Sequence, residues 1–365
     1  MTDKEAEKPD MSDEIQASNE SSELETPAPE KRRGRFARFA LFLLVFLPLL
    51  AAFAVGGLFF YGKHQFEAAG PHEEIVVTML PHGMGVRAIA SQLAKEGVIS
   101  NETIFLAAAR ITGADTSMKA GEYEIPARAS MSEIMRQLRE GRSLLHRLTI
   151  PEGLTSEQIM LLVKLNPALS GELPETPPEG SLLPETYSFT RGMTREKLVR
   201  DMQKAAADLL NELWEKRADG LPFSTKEEAL ILASIVEKET GLASERPRVA
   251  AVFVNRMKRP MRLQSDPTII YGLVGGKGTL GRPIRRSELN RHTPYNTYLI
   301  DGLPPTPICN PGRASIAAVL NPPKTDEYFF VADGTGGHAF SRTLAEHEAR
   351  VREWRKIERQ RRQAQ

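Results

Sequence analysis

Three arrangements of apolar residues follow one another along the chain. The first, FALFLLVFLPLLAAFAVGGLFFYG (39–62), is an unbroken apolar run without a charged side chain. At 1.5 Å rise per residue it is long enough to cross the roughly 30 Å hydrocarbon core of a bilayer, and it predicts a transmembrane helix. A cleaved signal peptide has a shorter apolar stretch nearer the N-terminus, and Pro48 is tolerated within a membrane helix. After a short linker the spacing changes. EEIVVTMLPHGMGVRAIASQLAKEGVIS reads as a strand, a Pro-Gly turn and an amphipathic helix, with Val86, Ile89, Ala90, Leu93 and Ala94 on one face. NETIFLAAARITG predicts a second helix, a short strand closes at Ile125, and SEIMRQLREG (132–141) opens a third helix. Residues 144–163, LLHRLTIPEGLTSEQIMLLV, repeat the strand, turn and helix order of 75–93. Residues 166–183, rich in Pro, Gly, Glu and Ser, read as an exposed loop, 182–189 as strand-like, and 193–217 as a long amphipathic helix.

The third arrangement lies at 225–240. Ser224 followed by Glu227 has capping-box spacing, and Gly241 suits a C-cap, so one helix is predicted between them. Its apolar residues lie on almost every side, which predicts a buried helix rather than a surface one. It ends in ILASIVEKET (231–240), with two carboxylates where a core would hold none. Glu237 shares a side with Leu230, Ala233 and Ser234, whereas Glu239 points about 200° away beside Leu232 and Ile235. The small neighbours favour Glu237 as the carboxylate with room for a ligand. Another helix follows (244–258), then loops dense in Gln, Asn, Asp, Thr and Tyr, and finally a strand over 327–340.

The formal net charge of +1 offers no case for nucleic acid, but the charge is unevenly placed. Residues 1–30 hold ten acidic and two basic residues with almost no large apolar ones, a composition that predicts disorder. Lys31, Arg32, Arg33, Arg35 and Arg38 then flank the apolar run on one side, while Glu67, Glu73 and Glu74 follow it on the other. By the positive-inside rule the N-terminus is cytoplasmic and about 300 residues lie across the membrane. The lone Cys309 makes no intrachain disulfide. Scattered histidines without i, i+4 pairs give no metal site, and no G-x-S-x-G elbow supports a serine nucleophile. GLVGGKGTLG (272–281) lacks the Lys-Ser/Thr ending of a phosphate loop and reads as a flexible flap. A carboxylate at the end of a buried helix is different. Burial disfavours its charged form, which suits a general acid working near neutral pH.

Several long segments together resemble one family. LASIVEKETGLASERPRVAAVFVNRM, MRLQSDPTIIYG, TPYNTY, GLPPTPICNPG and YFFVADGTGGHAF, with IPEGLTSEQI and EGSLLPETYSF before them, are similar to the MltG (YceG-like) endolytic murein transglycosylases. The resemblance runs from about residue 70 to 350 and implies an α+β fold behind a single N-terminal membrane helix. It divides the chain into a disordered cytoplasmic tail (1–38), a transmembrane helix (39–62), a LysM-like glycan-binding module (70–145), a connecting α/β region (146–220), a catalytic domain (221–350) and a basic tail (351–365). The tail reads as a solvated helix end.

The same resemblance makes Glu237 the catalytic residue. Asn255, Gln264, Asp266, Tyr271, Tyr295, Asn296 and Tyr298 would line a glycan cleft, with Glu239 as a structural or substrate-side helper. It implies non-hydrolytic cleavage of the β-1,4 bond between N-acetylmuramic acid and N-acetylglucosamine, with no cofactor and no metal. Implied partners are peptidoglycan glycan strands, the inner (cytoplasmic) membrane bilayer through 39–62, and cell-wall synthases. The competing expectations are a membrane-tethered glycan-binding scaffold without catalysis, and ordinary hydrolysis of the same bond.

Overall fold

The computed structural model describes residues 33–363; the acidic segment 1–30 expected to be disordered lies outside them. Helix α1 (Arg33–Glu67) contains the apolar run, with Pro48 inside it, and the stretch Arg38–Glu67 is long and apolar enough to cross a membrane. The chain divides into two compact units, residues 1–65 and 66–365, and the elements below belong to the second.

That unit is α+β, built from three antiparallel two-stranded sheets and the helices that cover them. Two-stranded sheets are marginal alone, so each depends on a helical cover. The first sheet pairs β1 (Val76–Leu80) with β2 (Gly121–Ile125), Val76 opposite Ile125. Between the strands run α2 (Val86–Lys95) and α3 (Glu102–Ile111), and α4 (Met131–Glu140) follows, as the periodicity predicts. Their apolar faces meet in one core of Leu80, Leu93, Phe105, Tyr123, Ile134 and Leu138. Sharp ends fix these helices. Asn101 caps α3, Ser130 and Glu133 form a reciprocal capping box on α4, and Gly141 closes α4 in the left-handed region at φ 73°.

The second sheet pairs β3 (Leu145–Thr149) with β4 (Thr186–Thr190). Helix α5 (Ser156–Leu165), started by a Thr155/Gln158 capping box, and the first turns of α6 (Arg195–Glu215) cover it. Ile150, Ile159, Val163, Phe189, Leu198 and Met202 form its core. The two strand–turn–helix segments noted in the sequence are therefore both real, each strand pairing with a partner beyond its helix. Between the two cores, Glu122 takes His146 Nε2 at 2.5 Å and Arg191 Nε at 2.9 Å on one oxygen.

The third core gathers the end of α6 around α7 (Lys226–Glu239), α8 (Arg246–Lys258) and, later in the chain, α11 (Arg313–Leu320). Helix α7 is its centre, with Ala229, Leu232, Ala233, Ile235 and Val236 inaccessible to solvent. Its N-cap is Thr225 with Glu228, one residue beyond the Ser224/Glu227 pair expected from spacing, and its C-cap is Thr240 rather than Gly241. Ser224 still contributes, since its N–H donates to the same Glu228 carboxylate. The short helices α9 (Asp266–Val274) and α10 (Arg286–Leu289) lie in the loops between α8 and α11.

Residues 327–340 are not one strand. They form a hairpin of β5 (Phe329–Ala332) and β6 (His338–Ser341), because Asp333 accepts the Thr335 N–H and hydroxyl and Gly334 and Gly336 take positive φ. Helix α12 (Leu344–Gln363) then packs on this hairpin: Phe329 stacks on His347, and Trp354 and Ile357 reach Gly334. Residues 351–363 of the basic tail are thus the continuation of a packed helix.

Glu122 offers a test of how the first two cores are joined. Desolvation raises its pKa, but hydrogen bonds from Arg191 and His146 outweigh this and hold it below the ordinary carboxylate value. A depressed carboxyl contributes stability above its unfolded pKa and loses it as pH falls through the native value. Glu122→Gln is expected to cost about 1–3 kcal/mol near neutral pH. The deficit should begin to shrink as pH falls below the ordinary glutamate value of about 4.3 and close as pH passes through the lower native value, as checked by urea melts across pH.

Candidate functional site

The small side chains of Ala233 and Ser234 leave space along α7, but the chain itself fills it. Residues 305–312 run along this face. Ser234 Oγ donates to Ile231 O and accepts the Ile308 N–H at 3.0 Å, while the Cys309 thiol donates to Ser234 O. The run delivers the Gly312 N–H to Glu237 Oε2 at 3.0 Å. The room expected to admit a ligand beside Glu237 is therefore used to position its carboxyl.

Glu237 stands in dry surroundings, its side chain 5% exposed. Its other oxygen, Oε1, lies 3.6 Å from Arg246 Nη2 at the start of α8. The same nitrogen is 3.5 Å from Glu152 Oε2, in the turn that precedes α5. Glu152 also packs directly on Gly312, where a Cβ would fall 1.8 Å from its Oε1. Two carboxyls thus flank one guanidinium. Burial, then the neighbouring Glu237, raise the pKa of Glu152 against the opposing pull of Arg246.

Asn310, fully buried, fastens this region together. Its backbone exchanges bonds with Gly153 and Leu154, its Oδ1 accepts the Leu182 N–H at 2.9 Å, and its Nδ2 donates to Leu154 O and Ser156 Oγ. Beside it, Glu179 accepts the Ser156 N–H at 2.9 Å and faces the Tyr271 hydroxyl at 3.5 Å. Desolvation pushes the Glu179 carboxyl up. Tyr271 and Tyr295 pack with centroids 4.9 Å apart, and with Pro178, Glu179, Glu227, Leu230, Pro305 and Pro307 they line a groove of about 460 Å³. Ile231, on the same groove, lies about 9 Å along the α7 axis from Glu237.

The remaining expected residues divide into two kinds. Gln264 is exposed and sits at φ 53°, an unusual backbone for a side chain with a Cβ. Asp266 accepts the Tyr298 hydroxyl at 2.7 Å at the start of α9. Glu239 accepts the Ser265 hydroxyl on the side of α7 away from Glu237. By contrast, Asn255 and Asn296 are turned into the fold rather than toward a cleft. Asn255 Nδ2 is committed to Thr325 and Glu327, bracing the approach to β5. Asn296 is 1% exposed, donates to Leu289 O and Arg291 O, and accepts the Tyr298 N–H, so its amide is consumed by its own loop. The flap is also partly fixed: residues 272–274 belong to α9, and the Thr155 hydroxyl holds Gly276 O at 2.7 Å. Among the described residues no cluster of His, Cys, Asp or Glu has a metal-holding arrangement.

Glu152, Glu179, Arg246 and Gly312 were not singled out from the sequence. All four lie in segments that carry the family resemblance, IPEG, EGSLLPETYSF, LASIVEKETGLASERPRVAAVFVNRM and GLPPTPICNPG, but chain separation hid that these converge on α7.

Comparison with known proteins decides the relationship. The YceG-like family profile matches residues 78–353. The chain belongs to the YceG-like family. A relative in Bacillus subtilis (strain 168), named endolytic murein transglycosylase, is 31% identical over 80% of this chain and 89% of its own length. One of the same name in Streptococcus pneumoniae D39 is 31% identical over 85% of this chain and 65% of its own. A crystal structure of a YceG-like protein from Listeria monocytogenes, 31% identical, covers 76% of this chain and 99% of that one with a TM-score of 0.46.

In this YceG-like chain, the carboxyl that burial pushes toward neutrality is Glu239, raised to about 7 mainly by desolvation and further by Asp266, against the Ser265 hydrogen bond. A carboxyl raised in the native state binds more protons folded than unfolded, so stability falls as pH rises from about 4.5 to about 7. Glu239→Gln should flatten that decline. Melting temperatures measured from pH 4.5 to pH 7.5 should show the variant gaining on the wild type as pH rises.

Proposed function

We propose that this chain is a membrane-anchored endolytic murein transglycosylase in which Glu237 serves first as acid and then as base. The observation that carries the reading is a dry carboxyl at the end of a buried helix, held on the Gly312 N–H, within the segment shared with the family. A catalytic carboxyl must be held in one orientation, which the Gly312 N–H provides for Glu237; the carboxyl that burial raises to about 7 is Glu239, two residues on. Glu237 donates its proton to the glycosidic oxygen between N-acetylmuramic acid and N-acetylglucosamine. That oxygen leaves as the 4-hydroxyl of N-acetylglucosamine while positive charge develops at the muramyl C1. The Glu237 carboxylate then takes the proton of the muramyl C6 hydroxyl, whose oxygen bonds to C1 and closes a 1,6-anhydro ring. Because the nucleophile belongs to the substrate, no water is consumed, and Glu237 ends protonated as it began.

Tyr271 and Tyr295 supply aromatic faces for the apolar side of a pyranose, and Glu179 and Glu227 supply acceptors for its hydroxyls in the same groove. Gln264, exposed on left-handed backbone beside Ser265, is placed to read an acetamido or hydroxyl group. Strained backbone of this kind is characteristic of residues held for ligand contact. Asp266 and Tyr298, bonded to each other, lie beside Glu239 on the other side of α7.

The long apolar helix supports anchoring, and by the positive-inside rule Arg38 and the basic residues before it favour a cytoplasmic N-terminus with the catalytic unit outside. A tether of this kind restricts cutting to glycan near the membrane, favouring nascent strands, and endolytic cuts there would end their elongation. The β1–α2–α3–β2 module would act as a LysM-like grip on glycan, and cell-wall synthases would be its neighbours.

Glu237→Gln, nearly isosteric, is expected to lower release of anhydro-ended fragments from isolated glycan strands by at least about a hundredfold without changing the melting profile. Mass spectrometry of the digested strands checks this. Anhydro ends from the variant at the wild-type rate would remove the mechanism. Reducing ends from the wild type would mean hydrolysis, and glycan binding without new ends would mean a scaffold.

A further inference from the structure

The tyrosine groove beside α7 holds a carboxyl that the proposed reaction uses neither as acid nor as base. Glu179 Oε2 is seated by the Ser156 N–H at 2.9 Å and by Asn310 Nδ2 at 3.4 Å. Its other oxygen, Oε1, meets only the Tyr271 hydroxyl, at 3.5 Å, the outer limit of a hydrogen bond. Gly276, whose carbonyl Thr155 holds, passes that oxygen without a side chain; a Cβ there would fall 3.1 Å from it. Burial pushes the Glu179 carboxyl up, and none of the groups acting on it is a cation.

The groove does not balance this charge from within. Its lining contains a second carboxyl, Glu227, and no Lys, Arg or His among the described residues. Lys226, the neighbour of Glu227 on α7, is committed to Asn211 Oδ1 at 2.6 Å. The rest of the wall is apolar, with Pro178, Leu230, Ile231, Pro305 and Pro307, and is completed by the Tyr271 and Tyr295 rings. Ring faces attract cations, and an apolar wall shelters a methylene chain whose charged tip must reach a counter-ion. A neutral hydroxyl would leave the carboxylate charge uncompensated, whereas an ammonium would make the charge-assisted bond that Oε1 lacks. The ligand selected by this chemistry is an aliphatic primary ammonium, as on a lysine side chain.

We propose that the groove binds the side-chain ammonium of a diamino acid in the peptide stem carried by the glycan, its methylene chain along the proline wall and its nitrogen on Glu179. Glu227 and the tyrosine faces remain for the sugar. Ile231, on the groove wall, lies about 9 to 12 Å along the helix axis from the two glutamates at the end of α7. Three or four extended residues span about that distance, so a stem on a muramyl unit held there reaches the groove. The substrate class is then glycan that still bears its peptides. This inference rests on the reading of the groove as a glycan site given above.

The probe is the disaccharide N-acetylglucosaminyl-N-acetylmuramyl-peptide with lysine as the diamino acid of its stem. It lacks the bond from a muramyl unit to a following glucosamine, so it is bound without being cut. Isothermal titration into the full-length protein in detergent micelles compares this probe with the same molecule acetylated on the lysine amine. The free amine should bind about tenfold more tightly, the worth of one charge-assisted contact. In Glu179→Gln, which keeps an acceptor for the Ser156 N–H, that ratio should fall to about one. Equal wild-type affinity for the free and acetylated stems overturns the proposal, and this comparison decides alone if the variant melts before titration. An unchanged ratio in a folded Glu179→Gln overturns it too. A third probe, the stemless disaccharide with a free amine in place of one acetamide, separates the sources of ammonium. If it binds as tightly as the free-amine stem, the groove reads an amino sugar and the proposal falls. Absence of anhydro ends from whole strands, with the free-amine preference intact, would instead bring down the cleavage reading and leave this subsite standing.

Discussion

The hydrogen bond from the Ile308 N–H to Ser234 Oγ is the contact on which the arrangement of the site depends. A buried backbone donor needs a partner, and at this point the partner is a hydroxyl on the side of a helix rather than another strand. That single choice lays residues 305–312 along α7. From it follow the proline wall of the tyrosine groove, the burial of Cys309, the rivet at Asn310 and the Gly312 amide on Glu237. A larger residue at 234 would lift the segment and separate the groove from the carboxyl.

Two glutamates separated by one residue occupy opposed surroundings as a result. Glu237 faces charge and a backbone donor, whereas Glu239 faces a hydroxyl from Ser265 and the start of α9. Helix geometry alone accounts for the separation, since two residues turn the side chain by about 200°. The desolvation expected of an acid falls most heavily on Glu239, while Glu237 lies 3.6 Å from the Arg246 guanidinium. A polar wheel reading treats both as carboxyls at a helix end. Their chemistry is set by what packs against each face.

Elements fixed by local spacing could be read from the sequence. The 3/4 pattern of α2 and the unbroken run of α1 each announce themselves within a few residues, whereas the Ser130/Glu133 box that starts α4 was not singled out. The capping box of α7 was legible only to within one position, because Ser224 and Thr225 compete for adjacent glutamates and both bond to Glu228. The hairpin at 329–341 was missed although Asp333-Gly334 marks a turn, since apolar residues on both flanks mimic one continuous strand. Asn255 and Asn296 show the limit for polar residues in loops: the amide that would suit a sugar also suits a turn, and only the fold says which acceptors lie within reach. The Glu152–Arg246–Glu237 group could not be read at all, because Glu152 is more than eighty residues from the segment that holds the other two.

The rivet at Asn310 has a further consequence. Glu152 and Glu179 belong to the part of the chain packed around the second sheet, while Glu237 and Arg246 belong to the helices of the third core. The constellation is complete only while those two cores remain docked, and one fully buried amide bonds to Leu154, Ser156 and Leu182 across the seam. Partial opening along that seam would strip the outer carboxyl from the inner one. The surroundings of Glu237 are thus set by closure of a joint inside one compact unit, a quaternary-like docking within a single chain.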